Sequence, residues 1–220
     1  MAASFDVLKG KTAAFLGDSI CMASTFDKEH QWWGWAGRIN EAFGLGSYVN
    51  KGCDGASVSN CRATNRIIFQ LERIKGQTFD FLMLHGGVND AWDSREVGKM
   101  TDSFAPSDFD VSTYAGGLEE LFYHAKKEFP DTMIGFIINF RSISTIGRLS
   151  DMTEYFTVAK QICDKWQIPY LDLFFDDDFN ENVLEYKTKA KLADYIHPNS
   201  DGYEVLYPRV AQFMCELASK

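Results

Sequence analysis

The chain has 220 residues, 45% of them apolar and 24% charged, which is enough for a full hydrophobic core and is unlike a disordered segment. A formal net charge of −9 and the lack of any Lys/Arg cluster argue against nucleic acid or an anionic membrane surface as the main partner. The start, MAASFDVLKGK, lacks a signal-peptide pattern, and no run is long enough to span a bilayer, so the expected location is cytoplasmic unless a leader has been removed.

Short apolar runs alternate with amphipathic stretches. Residues 12–16 (TAAFL), stopped by Gly17, predict a first buried strand, an amphipathic pattern over 32–43 a first helix, and 47–50 a weaker second strand. A helical pattern follows over 57–75, then a strong third strand over 79–84 (FDFLML) that ends at Gly86-Gly87. Residues 90–110 form a long polar loop, a feature often functional in compact domains. Helix 112–129, strand 132–139 (TMIGFIIN), helix 152–166, strand 168–173 (IPYLDL) and helix 202–219 complete the pattern.

Parallel strands need crossover connections, so this alternation implies an α/β fold: a three-layer α/β/α sandwich with a five-stranded parallel sheet. There is no internal repeat or linker-like stretch, and residues 1–220 are expected to form one domain. Ligands of such sheets bind beyond the carboxyl ends of the strands. Ser19 follows strand one, Gly52 and Gly55 follow strand two, and Asn89 follows strand three, so these loops leave the same edge.

The tail carries Asp194-Tyr195-Ile196-His197, and Gly17-Asp18-Ser19 lies near the start. A serine is a weak nucleophile until a base accepts its proton, and a histidine acting as that base needs a carboxylate to hold its tautomer. Each motif alone reads as an ordinary turn. Together, four blocks occur in one order at successive strand ends and before the last helix. They are Gly-Asp-Ser, residues 50–57 with two glycines, Gly87-Val88-Asn89-Asp90, and Asp194-x-x-His197.

This series resembles the SGNH hydrolases, also called GDSL-type esterases and lipases, from Thr12 to about Val210. The resemblance implies the flavodoxin-like SGNH hydrolase fold and a serine carboxylic ester hydrolase that needs no cofactor and no metal. It implies Ser19 as nucleophile, with His197 as its base and Asp194 as the carboxylate behind the base. It further implies an oxyanion hole made by the backbone of Ser19, by Gly55 (with Gly52 as the alternative) and by the side chain of Asn89. The GxSxG elbow of the α/β-hydrolases is absent, which argues against that fold.

The family spans lysophospholipases, thioesterases and carbohydrate acetylesterases. The polar loop, the acidic composition and the tryptophans after Ser19 favour short, acetyl-like groups on a carbohydrate or other polar alcohol. A lysophospholipase or acyl-thioesterase is the alternative within the family. A flavodoxin-like binding module is the non-enzymatic alternative, but LGDSICMAS lacks the phosphate-cradling run it needs. A small-molecule ester is the expected partner, and self-association is left open.

Other residues carry two readings each. Trp32 and Trp33, in Gln31-Trp32-Trp33-Gly34-Trp35, either plug the first helix onto the sheet or line the substrate entrance. His85, at the end of strand three, either packs there or faces substrate. Arg141 and Arg148 either meet a polar substrate group or lie on the surface. Residues 176–182 are rich in Asp and Asn, but an EF-hand needs Gly and Glu where Glu181 and Lys187 stand, so a solvated loop is expected. His30, His85 and His124 lack metal-ligand spacing. The five cysteines, without CxxC spacing, are expected to be reduced and mostly buried, with Cys21 a poor nucleophile despite lying close to Ser19.

Overall fold

Five short apolar runs pair side by side into one parallel sheet. The computed structural model describes residues 4–23, 33–143 and 151–219. Its strands are β1 (Thr12–Leu16), β2 (Ser47–Asn50), β3 (Phe81–His85), β4 (Met133–Ile138) and β5 (Tyr170–Asp172), in the order β2-β1-β3-β4-β5. All four pairings are parallel, with Ala14 opposite both Val49 and Leu82, and Leu84 opposite Phe136. Every residue of β3 is buried, as a strand covered on both faces requires.

Among the described residues, seven α-helices supply that cover: α1 (Ser19–Met22), α2 (Gly34–Phe43), α3 (Ile67–Glu72), α4 (Val88–Trp92), α5 (Tyr114–Glu128), α6 (Thr153–Trp166) and α7 (Ser200–Ala218). Helix α2 packs on α7, and α5 packs on both α3 and α6. The strand order reverses between β1 and β3, and in sheets of this kind a ligand sits in the crevice beyond that switch. Ser19 opens α1 directly after β1, and Asn89 lies in α4 directly after β3.

Two expectations change. The helix predicted over 57–75 is a 3-10 turn at Asn60–Arg62 followed by the short α3. Ser57 and Ser59 hydrogen-bond locally, Ser57 Oγ to Ser59 O at 2.8 Å and Cys61 N to Ser59 Oγ at 3.4 Å, and such side chains compete with helical bonding. Strand five is also shorter than its apolar run. Pro169 has no N–H to give, and its carbonyl accepts from Phe136 N at 3.0 Å just before the edge strand β5 begins.

The long loop after α4 lies along α5 and α6. Glu96 and Val97 carbonyls accept from Tyr114 N at 3.0 Å and Ala115 N at 2.8 Å, and the Tyr155 hydroxyl donates to the Arg95 carbonyl. Farther on, Lys165 pairs with fully buried Glu119 and donates to Thr101 O at 2.9 Å and Ser103 O at 2.5 Å. These anchors tie the loop to the helical layer.

Candidate active site

The turn that ends β1 is fixed from both sides. Buried Gln70, on α3, accepts from Gly17 N at 2.8 Å and donates to Gly17 O at 2.7 Å, pinning the backbone just before the Gly-Asp-Ser segment. Gly17 is needed there, because a Cβ would lie 2.7 Å from the Cys21 Cβ and 2.8 Å from the His85 carbonyl oxygen. Asp18 then caps α1 by accepting from Ile20 N at 2.9 Å, which sets Ser19 at the first helical position. Ser19 itself is 8% exposed.

The tail brings its pair to this serine. Asp194 accepts from the backbone N–H of Ile196 at 3.0 Å and of His197 at 2.7 Å, which closes the turn, with Tyr195 at φ +67°. Its second oxygen lies 2.7 Å from His197 Nδ1, and His197 Nε2 lies 2.8 Å from Ser19 Oγ. A carboxylate only accepts, so His197 carries its proton on Nδ1 and turns the Nε2 lone pair to the serine hydroxyl. Burial raises the Asp194 pKa, but the His197 ring, the two backbone N–H groups and the imidazole charge outweigh it and bring the value down to about 2. Burial likewise opposes charge on His197. The bond to Asp194 and the charges of Asp194, Asp18 and Asp54 prevail and raise its pKa.

The other two blocks meet beside α1. Asn89 Nδ2 donates to Ala56 O at 3.0 Å, leaving its second amide hydrogen for another acceptor. Of the two glycines, Gly52 already spends its N–H within its own turn. The Gly52 N–H is taken by Asn50 Oδ1 at 3.0 Å, and a Cβ there would lie 2.6 Å from Met22 N. Cys53 N donates to Gly17 O at 3.0 Å, so the second block is tied to the first. Ser19, His197 and Asp194 thus form one hydrogen-bonded chain, while Gly55 and Asn89 are linked through Ala56.

A profile of the GDSL-like lipase/acylhydrolase family matches residues 15–205. The chain belongs to that family. Its reaction class is ester hydrolysis, which displaces the binding-module alternative. Solved structures share the fold of this GDSL-like hydrolase at low identity. A protein from Lactobacillus plantarum superposes with a TM-score of 0.79 at 20% identity, covering 94% of this chain and 97% of that one. A GDSL-like lipase candidate from Bacteroides ovatus gives 0.70 at 18%, covering 94% and 98%. An acetylxylan esterase from Geobacillus stearothermophilus gives 0.63 at 21%, covering 95% and 96%. A comparison with curated protein sequences gave no match.

In this GDSL-like hydrolase His85 takes the packing one of its two readings. His85 is 1% exposed, with its edge against Trp35 and its Nε2 3.1 Å from Asn139 Oδ1. Asn139 Nδ2 already donates to the Phe140 carbonyl at 3.0 Å, so Asn139 Oδ1 accepts from His85. His85 Nδ1 lies 3.3 Å from Asp18 Oδ1 without making a hydrogen bond. His85 therefore packs behind the serine turn. Trp33 is half-buried over Gly37, where a Cβ would lie 2.8 Å from its own Cβ, and Trp35 is buried. Trp32, His30 and Arg148 lie outside the described residues.

Arg141 pairs with Asp177 at 2.5 Å and Arg209 with Asp176 at 2.5 Å, and the stretch expected as a solvated loop instead turns helical over Phe179–Leu184, with Phe179 and Asn180 buried. Among the described residues no His/Cys/Asp/Glu cluster could hold a metal ion. Burial raises the Cys21 thiol pKa well above its ordinary value, with Asp18 adding to the effect, which leaves it a poor nucleophile.

Sequence reasoning missed Gln70 and Asp90. Fully buried Asp90 accepts from Val58 N and Ser59 N at 2.9 Å and from Ser59 Oγ at 2.6 Å. Its pKa is raised by burial, against the pull of those bonds. A polar Gln inside the run Ile67-Ile68-Phe69-Gln70-Leu71 was the signal for the first, and the second follows Asn89 directly.

Proposed function

We propose that this chain cleaves carboxylic esters through a covalent acyl-enzyme on Ser19, acting as one hydrolase domain on short, acetyl-like groups carried by a carbohydrate or other polar alcohol. The observation that carries the mechanism is the unbroken chain of contacts: 2.8 Å from Ser19 Oγ to His197 Nε2 and 2.7 Å from His197 Nδ1 to Asp194.

Ser19 Oγ attacks the ester carbonyl carbon as its proton passes to His197 Nε2. The new C–O bond leaves a tetrahedral intermediate with a negative oxygen. That oxygen accepts from the Ser19 and Gly55 N–H groups and from the Asn89 amide, whose uncharged donors need no protonation change at the moment of reaction. Collapse breaks the bond to the alcohol, which leaves with the proton from His197. Water then repeats the sequence and releases the carboxylic acid. Asp194 stays ionised throughout, because its pKa of about 2 lies far below working pH, and it stabilises the imidazolium as it forms.

The short-acyl reading is supported by the net charge of −9, which disfavours anionic lipid surfaces, and by the polar loop held on α5 and α6. It is also in keeping with the acetylxylan esterase that shares the fold. Among the described residues no helix is long and apolar enough to cross a membrane. Turnover of p-nitrophenyl esters across acyl lengths tests the substrate side. The account predicts a peak at acetyl or propionyl, whereas a peak at long acyl chains would assign the lysophospholipase or thioesterase alternative.

A further inference from the structure

Gly55 sits at φ +71°, a left-handed conformation that glycine enters freely and leaves as freely. Its usefulness as a donor depends on which way its N–H points. In a trans peptide C=O and N–H lie in one plane and point in opposite directions, so whatever holds the Asp54 carbonyl also aims the Gly55 N–H. Asn65 Nδ2 donates to that carbonyl at 2.6 Å. The next plane, which joins Gly55 C=O to Ala56 N–H, is held as well: Arg62 Nη1 donates to Gly55 O at 2.8 Å and Ala56 N donates to Cys53 O at 3.1 Å.

The two holding side chains share one frame. Asn65 N donates to Arg62 O at 2.8 Å, which places them in a single turn. Arg62 is in turn gripped by Asp93 through two parallel bonds, Nε to Oδ2 at 2.7 Å and Nη2 to Oδ1 at 3.0 Å. Asp93 N donates to Asn89 O at 3.0 Å, so the same frame reaches the residue whose side chain is the other loop donor. Side-chain exposures of 27% for Arg62 and 30% for Asp93 put this frame near the surface, where an ion pair adds little to stability.

We propose that Asn65, supported by Arg62 and its Asp93 partner, is a positioning residue that keeps the Gly55 N–H turned toward the reacting oxygen. The inference rests on the oxyanion role proposed above for Gly55. Without Asn65 the Asp54–Gly55 peptide can rotate and present its carbonyl instead. Turnover then falls while ground-state binding and folding are largely preserved.

The test compares wild type with Asn65→Ala, Asn65→Asp and Arg62→Ala, using the short p-nitrophenyl ester turned over best. Outright loss of one donor typically lowers kcat by about 100- to 1,000-fold, so a loosened donor in Asn65→Ala should lower it by about 10-fold or more. KM should stay within about 2-fold, as expected for an interaction made in the transition state. Asn65→Asp keeps the shape but sets a carboxylate against a carbonyl, and should be worse than Asn65→Ala. Arg62→Ala should change kcat in the same direction. Thermal midpoints and the acid limb of the pH profile should stay close to wild type.

Wild-type kcat in Asn65→Asp would overturn the proposal, as would a loss of rate that merely follows a loss of folded protein. Fluorophosphonate labelling of the wild type separates the two levels. If Ser19 is labelled and Asn65→Asp retains full turnover, the positioning role alone fails. If wild type is not labelled, the nucleophile assignment fails and the positioning role falls with it.

Discussion

At the residue scale, the site is a set of protons whose positions are dictated by their neighbours. In the proposed mechanism His197 must be neutral to accept the Ser19 proton, and its environment raises its pKa above the ordinary 6.5. Activity should therefore fall on the acid side with a midpoint above 6.5, read from kcat/KM against pH. Asp194→Asn removes the main group that raises this pKa, leaving Asp18 and Asp54, and should shift the limb to lower pH while also lowering the rate. The carboxylate has its own signature in stability. Its folded-state pKa lies near 2 against an ordinary 3.8, so its contribution is present above 3.8 and is lost as pH falls toward 2. The stability gap between wild type and Asp194→Asn, measured by denaturant unfolding, should narrow across that window. Asn89→Ala should lower kcat by about 100- to 1,000-fold with little change in KM. A change confined to KM would contradict an oxyanion role.

At the scale of elements, α5 packs closely on Val58 and Ser59, just past the second block. A Cβ on Gly117 would lie 2.7 Å from Ser59 Cα and 2.8 Å from Val58 O, both backbone atoms that cannot swing aside. Gly117→Ala should therefore destabilise the fold by about 1–3 kcal/mol in denaturant unfolding, and kcat should fall with it, because the same segment is tethered by Asp90. This close approach was not legible in the sequence, where Gly116-Gly117 reads only as two weak helix formers. The strands were legible. Thr12–Leu16 and Ser47–Asn50 emerge with the limits that their apolar runs set, because Gly17 stops the one and the polar residues at 50 and 51 stop the other. The stretch 57–75 was misread because its apolar spacing suits a helix while Ser57, Ser59 and Asn65 spend their hydrogen bonds elsewhere.

At the scale of the whole molecule, alternation of strand and helix implied the parallel sheet, and the sheet brings Ser19 and His197 together across 178 positions of sequence. What periodicity could not show is how the loops are held. The excursion between α4 and α5 is pinned by the pair of Lys165, mostly buried, and Glu119, fully buried. Lys165→Met should leave the Glu119 carboxylate uncompensated and destabilise the protein by about 3–5 kcal/mol, with kcat per folded molecule unchanged. A large fall in kcat without loss of stability would instead place this loop in the catalytic cycle. The central claim is that Ser19 forms a covalent bond to substrate carbon, and active-site labelling tests it most directly. Wild type treated with a fluorophosphonate should gain one adduct, located on Ser19 by peptide mass, and Ser19→Ala should gain none. Equal labelling of the variant, or an unlabelled wild type, would contradict the assignment.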